Sequence, residues 1–401
     1  MRILIHDYGS YSFPVQLARQ MADDGHEVFY CCSDFYEVKG SIQRLAGDPP
    51  NLQLKVLSIG EPHQKYKFLQ RALQERRYGH CLAQHVRDTK AEAVLSCNTP
   101  LLTADILQQG CRTAGVKYIH WAQDLHALAI ATVLKAKLPL VGGFLGAYFA
   151  GLEKRIIERA DACVVISEDF LDELKSLGIQ PQKVAVVPNW MPLDEMVPTP
   201  KVNEWSNRQG LAETLNLMYV GTLSLKHNAG PFLDLAEHFR NQPRVRIVVV
   251  SAGSVFDALR EERRRRGLEN LVLLGWQKYA ELSLVFGAAD VLFATVSAEG
   301  SRFSVPCKVL SYASAGRPVL AQMPADNLVR RLVEQNRFGL SADLDDRIAL
   351  TKGAERLLLD EAFQGQCRTR AREYAEANFV VSEKADAFYE VLGLPPVQRT
   401  V

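Results

Sequence analysis

Short uninterrupted apolar runs alternate along this chain with segments whose apolar residues recur every three or four positions, and the two patterns change over at glycines. The first run covers residues 2–6 and leads into Gly9 and Ser10. A helical pattern follows through Val15, Leu17, Ala18 and Met21, closed by Gly25, and residues 28–32 read as the next strand. Further strands are predicted at 93–97, 116–121, 161–166 and 184–187. A helix is predicted over 101–114 with Gly115 past its end, and another over 168–177 with Ser167 in the N-cap position. The pattern restarts at 215–220, followed by Gly221, and continues with runs at 246–250, 271–274, 290–294 and 318–321. Apolar runs without polar alternation, separated by helices, predict parallel strands covered on both faces. The expected fold class is therefore α/β, with two Rossmann-like domains facing across a cleft.

The stretch from Pro192 to Thr214 is rich in proline, asparagine and charge, which places the boundary there. The expected division is a first domain at 1–192, a linker at 193–214, a second domain at 215–376 and a terminal segment at 377–401. In open parallel sheets, ligands bind beyond the carboxyl ends of the strands, so candidate chemistry is sought in the turns that follow them.

Composition narrows the function classes. With 401 residues, 47% hydrophobic and 23% charged, each half has ample material for a core. A formal net charge of +1 supplies no overall field to recruit nucleic acid, so no nucleic-acid partner is expected. The eight cysteines include no C-x-x-C pair, and several lie in apolar runs. They read as buried reduced thiols, which suits the cytoplasm. The first residues form a strand, not a secretion signal, and no run of eighteen apolar residues predicts a spanning helix. No histidine–carboxylate cluster has metal-ligand spacing, so no metal ion is expected.

Several turns could carry chemistry, each with a plainer alternative. Gly9, Ser10 and Tyr11 follow the first strand, where free N–H groups at a helix start attract anions. The alternative is an ordinary βα turn. In the second half Gly221 and Thr222 are followed by Lys226, a cation placed to neutralise charge on a leaving diphosphate, or else a solvated loop lysine. Gly253 and Ser254 follow another strand and could admit a base or a phosphate, or form a simple turn. Pro306, Cys307 and Lys308 open a predicted short helix that Gly316 closes. That helix start and its lysine could meet one anion, or the segment could be a structural crossover. Asp124, with Gln123, His120 and His126 around it, could orient a sugar hydroxyl or cap a helix. Arg263 to Arg266 read as a solvated helix face or an anion-binding patch. The apolar stretch 138–152, flanked by Lys135, Lys137, Lys154 and Arg155, reads as an interfacial helix on anionic lipid or as a buried packing helix.

Taken together, these residues resemble the family 4 glycosyltransferases of the GT-B fold over nearly the whole chain. The resemblance is carried by Gly25 to Val28, Arg159 to Asp161 with Ile166 and Ser167, Val187 to Asn189, Ala289 to Val291 and Ala315 to Val319. The segment from Asn378 to Leu392 resembles the helix that crosses back onto the first domain. Gly221 to Leu223 with Lys226 to Asn228, and Val305 to Lys308, are most similar to a bacterial surface-polysaccharide branch acting in O-antigen or capsule assembly. The resemblance implies retaining transfer of a sugar from a nucleotide-diphosphate donor, probed first as UDP- or GDP-linked. It implies a glycan or polyprenyl-diphosphate-linked acceptor and no cofactor. Lys226, Lys308 and Asp124 are the expected catalytic groups. Gly221, Thr222, Gly253, Ser254, Pro306, Cys307 and Glu299 are expected on the donor, and Gly9, Ser10 and Tyr11 on the acceptor side. The protein is expected in the cytoplasm, with peripheral contact on the inner face of the membrane.

The chain departs from the family pattern where paired glutamates would fall on Phe303 and Ser311, leaving Glu299 as a partial substitute. It departs again where an arginine would fall on Thr222, and at Cys307, where the branch has serine. Two other readings stay open: a nucleotide-sugar 2-epimerase on the same fold, and a non-catalytic nucleotide-sugar-binding module.

Overall fold

The structure, a computed structural model, describes all residues except 37–41, 65–66, 138–140, 224–227, 299–306 and 400–401. The side chains of 128, 129, 133, 135–137 and 254 are likewise not described. The chain forms two compact units, Met1–Asn189 with Val380–Val401, and Trp190–Phe379.

The first unit is built on seven parallel strands: β1 (Arg2–Asp7), β2 (Glu27–Ser33), β3 (Leu52–Leu57), β4 (Ala93–Cys97), β5 (Lys117–Trp121), β6 (Ala162–Val165) and β7 (Val184–Val186). Their order in the sheet is β3-β2-β1-β4-β5-β6-β7. All five residues of β4 are buried, as a central strand covered on both faces requires. The edge strand β3 is missing from the sequence-based expectation because it alternates: Leu52 and Leu57 are buried, while Gln53, Lys55 and Val56 are exposed. The helices are α1 (Ser12–Asp23), α2 (Phe68–Thr89), α3 (Leu101–Ala114), α4 (His126–Lys137), α5 (Gly142–Arg159) and α6 (Glu168–Ser176). Gly115 closes α3 with φ +68°, as its position predicts. Ser167 stands at the N-cap of α6, but its hydroxyl makes no capping bond.

The second unit repeats the plan. It holds α7 (Glu204–Arg208), β8 (Leu215–Val220), α8 (Gly230–His238), β9 (Val245–Val250), α9 (Ser254–Arg266), β10 (Leu271–Leu274) and α10 (Leu282–Gly287). These are followed by β11 (Val291–Thr295), α11 (Lys308–Ser314), β12 (Val319–Gln322), α12 (Leu328–Gln335), β13 (Gly339–Ala342), α13 (Arg347–Leu359) and α14 (Glu361–Asn378). Its six parallel strands run β10-β9-β8-β11-β12-β13. The final helix, α15 (Val381–Leu392), belongs to the first unit. Phe388 packs edge-on against Trp121 at 4.6 Å between ring centroids, and Tyr389 Oη donates to Asp24 at 2.7 Å.

The stretch 193–214 is not a free linker. Met196, Trp205 and Leu211 lie in the core of the second unit, and α7 is closed by a capping box between Asn203 and Ser206. Two residues of the family-like motifs hold this stretch down. Buried Asp290 pairs with Lys201 at 2.6 Å, and Arg317 Nη2 donates to the Thr199 carbonyl at 2.5 Å. Arg264, Arg265 and Arg266 form ion pairs with Glu261 and Glu262 on α9 and with Glu237 on α8, so this basic run is for the most part neutralised by neighbouring carboxylates.

Candidate active site

In the second unit the strand order reverses between β8 and β11. The two strands pair only at Leu217–Val291 and Met218–Leu292 and then part. A sheet that opens at its reversal point leaves unpaired backbone and a natural crevice at the carboxyl end. Here α11 supplies the missing partner. Tyr312 Oη donates to the Val220 carbonyl at 3.1 Å and accepts the Val220 N–H at 3.3 Å. One helical turn earlier, on the same face of α11, Lys308 reaches the same opening. Its ammonium donates to Tyr219 Oη at 2.5 Å and lies 4.1 Å from the centre of the Tyr219 ring. The Tyr219 hydroxyl in turn donates to the Thr222 carbonyl at 3.0 Å.

Gly221 has φ +145°, and a Cβ there would lie 3.4 Å from Lys308 Nζ, so the glycine keeps the lysine's approach open. Lys308 rests on a hydroxyl and a ring, neither of which is a counter-charge. Burial pulls its ammonium down to about 7. On the neighbouring strand end, Gly253 has φ +118°, and a Cβ would come within 2.5 Å of the Leu223 carbonyl oxygen. The turns after β8 and β9 thus pack backbone to backbone. Beyond β10, next to β9, the indole of Trp276 is 57% exposed.

The structure therefore gathers Gly221, Thr222, Gly253 and Lys308 at one end of the second sheet. Cys307, half-buried, directly precedes α11 and makes no side-chain cap. Ser311 is buried within that helix. Lys226, Glu299, Phe303 and Pro306 lie outside the described residues. So does the side chain of Ser254, the first residue of α9.

In the first unit the turn after β1 departs from the sequence reading. Buried Asp7 accepts the N–H of Gly9 at 2.9 Å and the N–H of Tyr11, together with the Tyr30 hydroxyl at 3.4 Å. The amides of Gly9 and Tyr11, expected to attract an anion, already hold a carboxylate of the chain itself. Ser10 is fully buried with φ +56°, and its hydroxyl donates to the Ser33 carbonyl at 3.3 Å. The Tyr11 ring folds back over Gly9 and stacks on Phe13.

Asp124 lies beyond β5 and is half-buried. Buried Glu153, reaching across from α5, accepts the N–H groups of His126 at 2.7 Å and Ala127 at 3.2 Å. Burial pushes the Glu153 carboxyl up to about 7. The two amide donors oppose that rise, and nearby Asp124 adds to it. Burial pulls His6 and His120 down to about 3 and about 4, so both imidazoles are neutral at physiological pH. Buried Gln123 accepts from Asn189 Nδ2 at 2.6 Å through Oε1, while its Nε2 has no partner among the described residues.

Sequence reasoning missed Asp7, Glu153, Tyr219, Tyr312 and Trp276. Asp7 alone left a readable signal, a carboxylate two residues ahead of a glycine turn. The others read as ordinary helix, strand or surface positions. Among the described residues no group of three or more His, Cys, Asp or Glu is placed to hold a metal ion, and no helix is long and apolar enough to cross a membrane.

Two sequence profiles follow one another along the chain. That of Glycosyltransferase Family 4 matches residues 12–195, and that of Glycosyl transferases group 1 matches residues 214–360. Both halves of this chain thus match glycosyltransferase profiles. A curated relative, a probable glycosyltransferase named WbjE from Pseudomonas aeruginosa, is 21% identical to this glycosyltransferase over 213 residues. That match covers 51% of the chain and spans about half the length of the relative, 50%. Among solved structures, sucrose-phosphate synthase from Thermosynechococcus elongatus superposes with a TM-score of 0.71 at 15% identity, covering 98% of both chains. Anabaena HepE, solved in complex with UDP and glucose, gives 0.71 at 14% identity, covering 98% of this glycosyltransferase and 99% of HepE. These likenesses establish the GT-B fold, two parallel-sheet Rossmann-like domains, for this chain.

Proposed function

We propose that this glycosyltransferase transfers a sugar from a nucleoside-diphosphate donor held at the carboxyl end of the second sheet. The observation that carries the reading is Lys308, poised above Gly221 at the point where the strand order reverses and lacking a carboxylate partner among the described residues. A diphosphate is the counter-charge this lysine lacks. On binding, it draws the ammonium off Tyr219 and restores its full charge. Lys226, outside the described residues, is the second cation that the sequence offers to the diphosphate. Trp276 offers its exposed face to the base, and the turns at Gly221, Thr222 and Gly253 give backbone access to the phosphates. HepE is solved with UDP and with UDP-glucose, which supports UDP as the first donor base to try.

The acceptor side of the reading rests on Asp124 and Gln123, whose buried Nε2, without a partner among the described residues, would donate a hydrogen bond to an oxygen of the acceptor. In the reaction we infer, the acceptor oxygen bonds to the sugar's anomeric carbon as the bond to the diphosphate breaks. The acceptor proton passes to a phosphate oxygen of the leaving group on the same face, so configuration is retained. Positive charge on Lys308 and Lys226 stabilises that departing diphosphate, and no metal ion is required. The acceptor fits a glycan or a polyprenyl-diphosphate-linked sugar of surface-polysaccharide assembly.

The test measures release of the nucleoside diphosphate from UDP- and GDP-sugars with and without lipid-linked sugar acceptors. Acceptor-dependent release, reduced about a hundredfold or more in Lys308→Ala with unchanged folding, is expected. Release without any acceptor, or interconversion of the donor alone, would assign the site to a 2-epimerase. Donor binding with no turnover would assign it to a binding module.

A further inference from the structure

At the amino end of the first sheet, away from Tyr11 and Asp124, lies a cavity of about 470 Å³. It forms where α3 and α5 finish and β5, β6 and β7 begin. Its lining includes Gln108 and Arg112 of α3, Lys117 of β5, Arg159 of α5, Asp161 just ahead of β6 and Gln182 just ahead of β7. The groups assigned to transfer stand at the carboxyl ends of strands, so that reaction leaves this cavity unused.

The cavity is unbalanced in charge. Arg112, Lys117 and Arg159 face a single lining carboxylate, Asp161, which leaves two positive charges over. Asp161 is already engaged, accepting the N–H of Tyr118 at 2.7 Å and so tying β5 to β6. Lys117 gives one of its three protons to the Leu392 carbonyl, at 3.1 Å, at the end of α15. Arg112 and Arg159 are exposed and have no ion pair or side-chain hydrogen bond among the described residues. Each stands in the last turn of its helix, where the outgoing carbonyls favour a cation. That accounts for one arginine per helix end. It does not account for two helices ending on one cavity with a lysine beside them, because gathered like charges repel until an anion joins them.

A phosphate monoester carries close to two negative charges at neutral pH, and guanidinium forks match its oxygens. A bare ion underfills the space, since one water accounts for only about 30 Å³. The remaining lining offers amides. Gln182 is exposed, and buried Gln108 is fixed by its bond to the Ile156 carbonyl at 2.8 Å. Amides both donate and accept, as hydroxyl groups require. We propose that this cavity binds a phosphate monoester with a hydroxylated body, in its simplest form a sugar phosphate, with Arg112 and Arg159 on the phosphate. Arg159 and Asp161, neighbours in one motif, then divide the work: Asp161 joins two strands and Arg159 holds the ligand.

The experiment is calorimetric titration of the full chain with glucose 1-phosphate and glucose 6-phosphate, which carry the phosphate at opposite ends of the ring. Glucose and inorganic phosphate are the comparison ligands. At least one ester is expected to bind, with inorganic phosphate several-fold weaker and glucose without measurable heat. Arg112→Gln with Arg159→Gln is expected to weaken the ester about tenfold or more. Both positions are exposed, so the variant is expected to melt as the unmodified protein does and to bind UDP equally well. Affinity for the ester is also expected to fall between pH 7.5 and pH 5.5, as its second proton returns. The proposal is overturned if neither ester binds, or if the double variant binds the ester as tightly as the unmodified protein. It is overturned too if inorganic phosphate or glucose binds as well as the ester. Loss of ester binding in Lys308→Ala, with none in the arginine variant, would move the ester to the second sheet and equally end the proposal. The site is separate from the donor turn, so its failure leaves the transfer reading standing.

Discussion

Lys308 and Tyr219 form a pair whose two members differ in how readable they are. Lys308 announces itself, because a lysine two residues after a proline, at a predicted helix start, is an uncommon place for a core residue. Tyr219 does not, since in the run 215–220 it is one more apolar strand position. Only the parting of β8 from β11 reveals that its hydroxyl serves two partners, accepting from Lys308 and donating to Thr222. Removing that hydroxyl leaves a buried cation and a carbonyl without their bonds. Tyr219→Phe is therefore expected to lower the unfolding free energy by about 1–2 kcal/mol in denaturant titration. An unchanged midpoint would mean that neither bond contributes. The turn at Gly9 to Tyr11 shows the opposite limit of sequence reading. Amides that a sequence offers to a ligand can be claimed by a neighbouring carboxylate, here Asp7, and spacing cannot distinguish the two uses.

At the scale of the element, every interior strand is legible, while of the four edge strands β7 and β10 are legible and β3 and β13 are not. Residues 93–97 are apolar throughout because both faces are covered. β3 has to present Lys55 and Val56 to solvent, and β13 is only four residues long. The stretch 193–214 misleads for a related reason. Its prolines and polar residues look like a connector, yet Trp205 anchors it in a core. Glu153 is equally invisible beforehand, since it caps a helix that begins 27 residues earlier in sequence.

Its effect on stability has a definite sign. The carboxyl is protonated more readily in the folded chain, at about 7, than in the unfolded chain near 4.5. Its stabilising contribution is therefore full below about pH 4.5 and is lost as pH rises through 7. Between those limits the loss amounts to at most about 3 kcal/mol, from a shift ending at about 7. Chemical denaturation at pH 5 and pH 8 is expected to show this fall in the unmodified chain, and Glu153→Gln to flatten that share of it. A variant with the same pH slope would remove the assignment.

For the molecule as a whole, the repeated strand–helix pattern was legible because each half folds its own sheet, with the order reversing once in each. The chain enters the second unit after Asn189 and returns at Val380 to finish on the first, where Arg399 pairs with Asp24 at 2.7 Å and α15 packs on α1. The central claim concerns the second unit alone: a nucleoside diphosphate supplies the counter-charge that Lys308 lacks. A lysine held near 7 in the free protein must take up a proton when that anion binds at higher pH. Calorimetry of UDP and GDP binding at pH 8, in two buffers of different ionisation enthalpy, reads this uptake directly. The account predicts uptake of most of one proton in the unmodified protein and almost none in Lys308→Met, with affinity weaker by about tenfold or more. Equal uptake and equal affinity in the two proteins would contradict it.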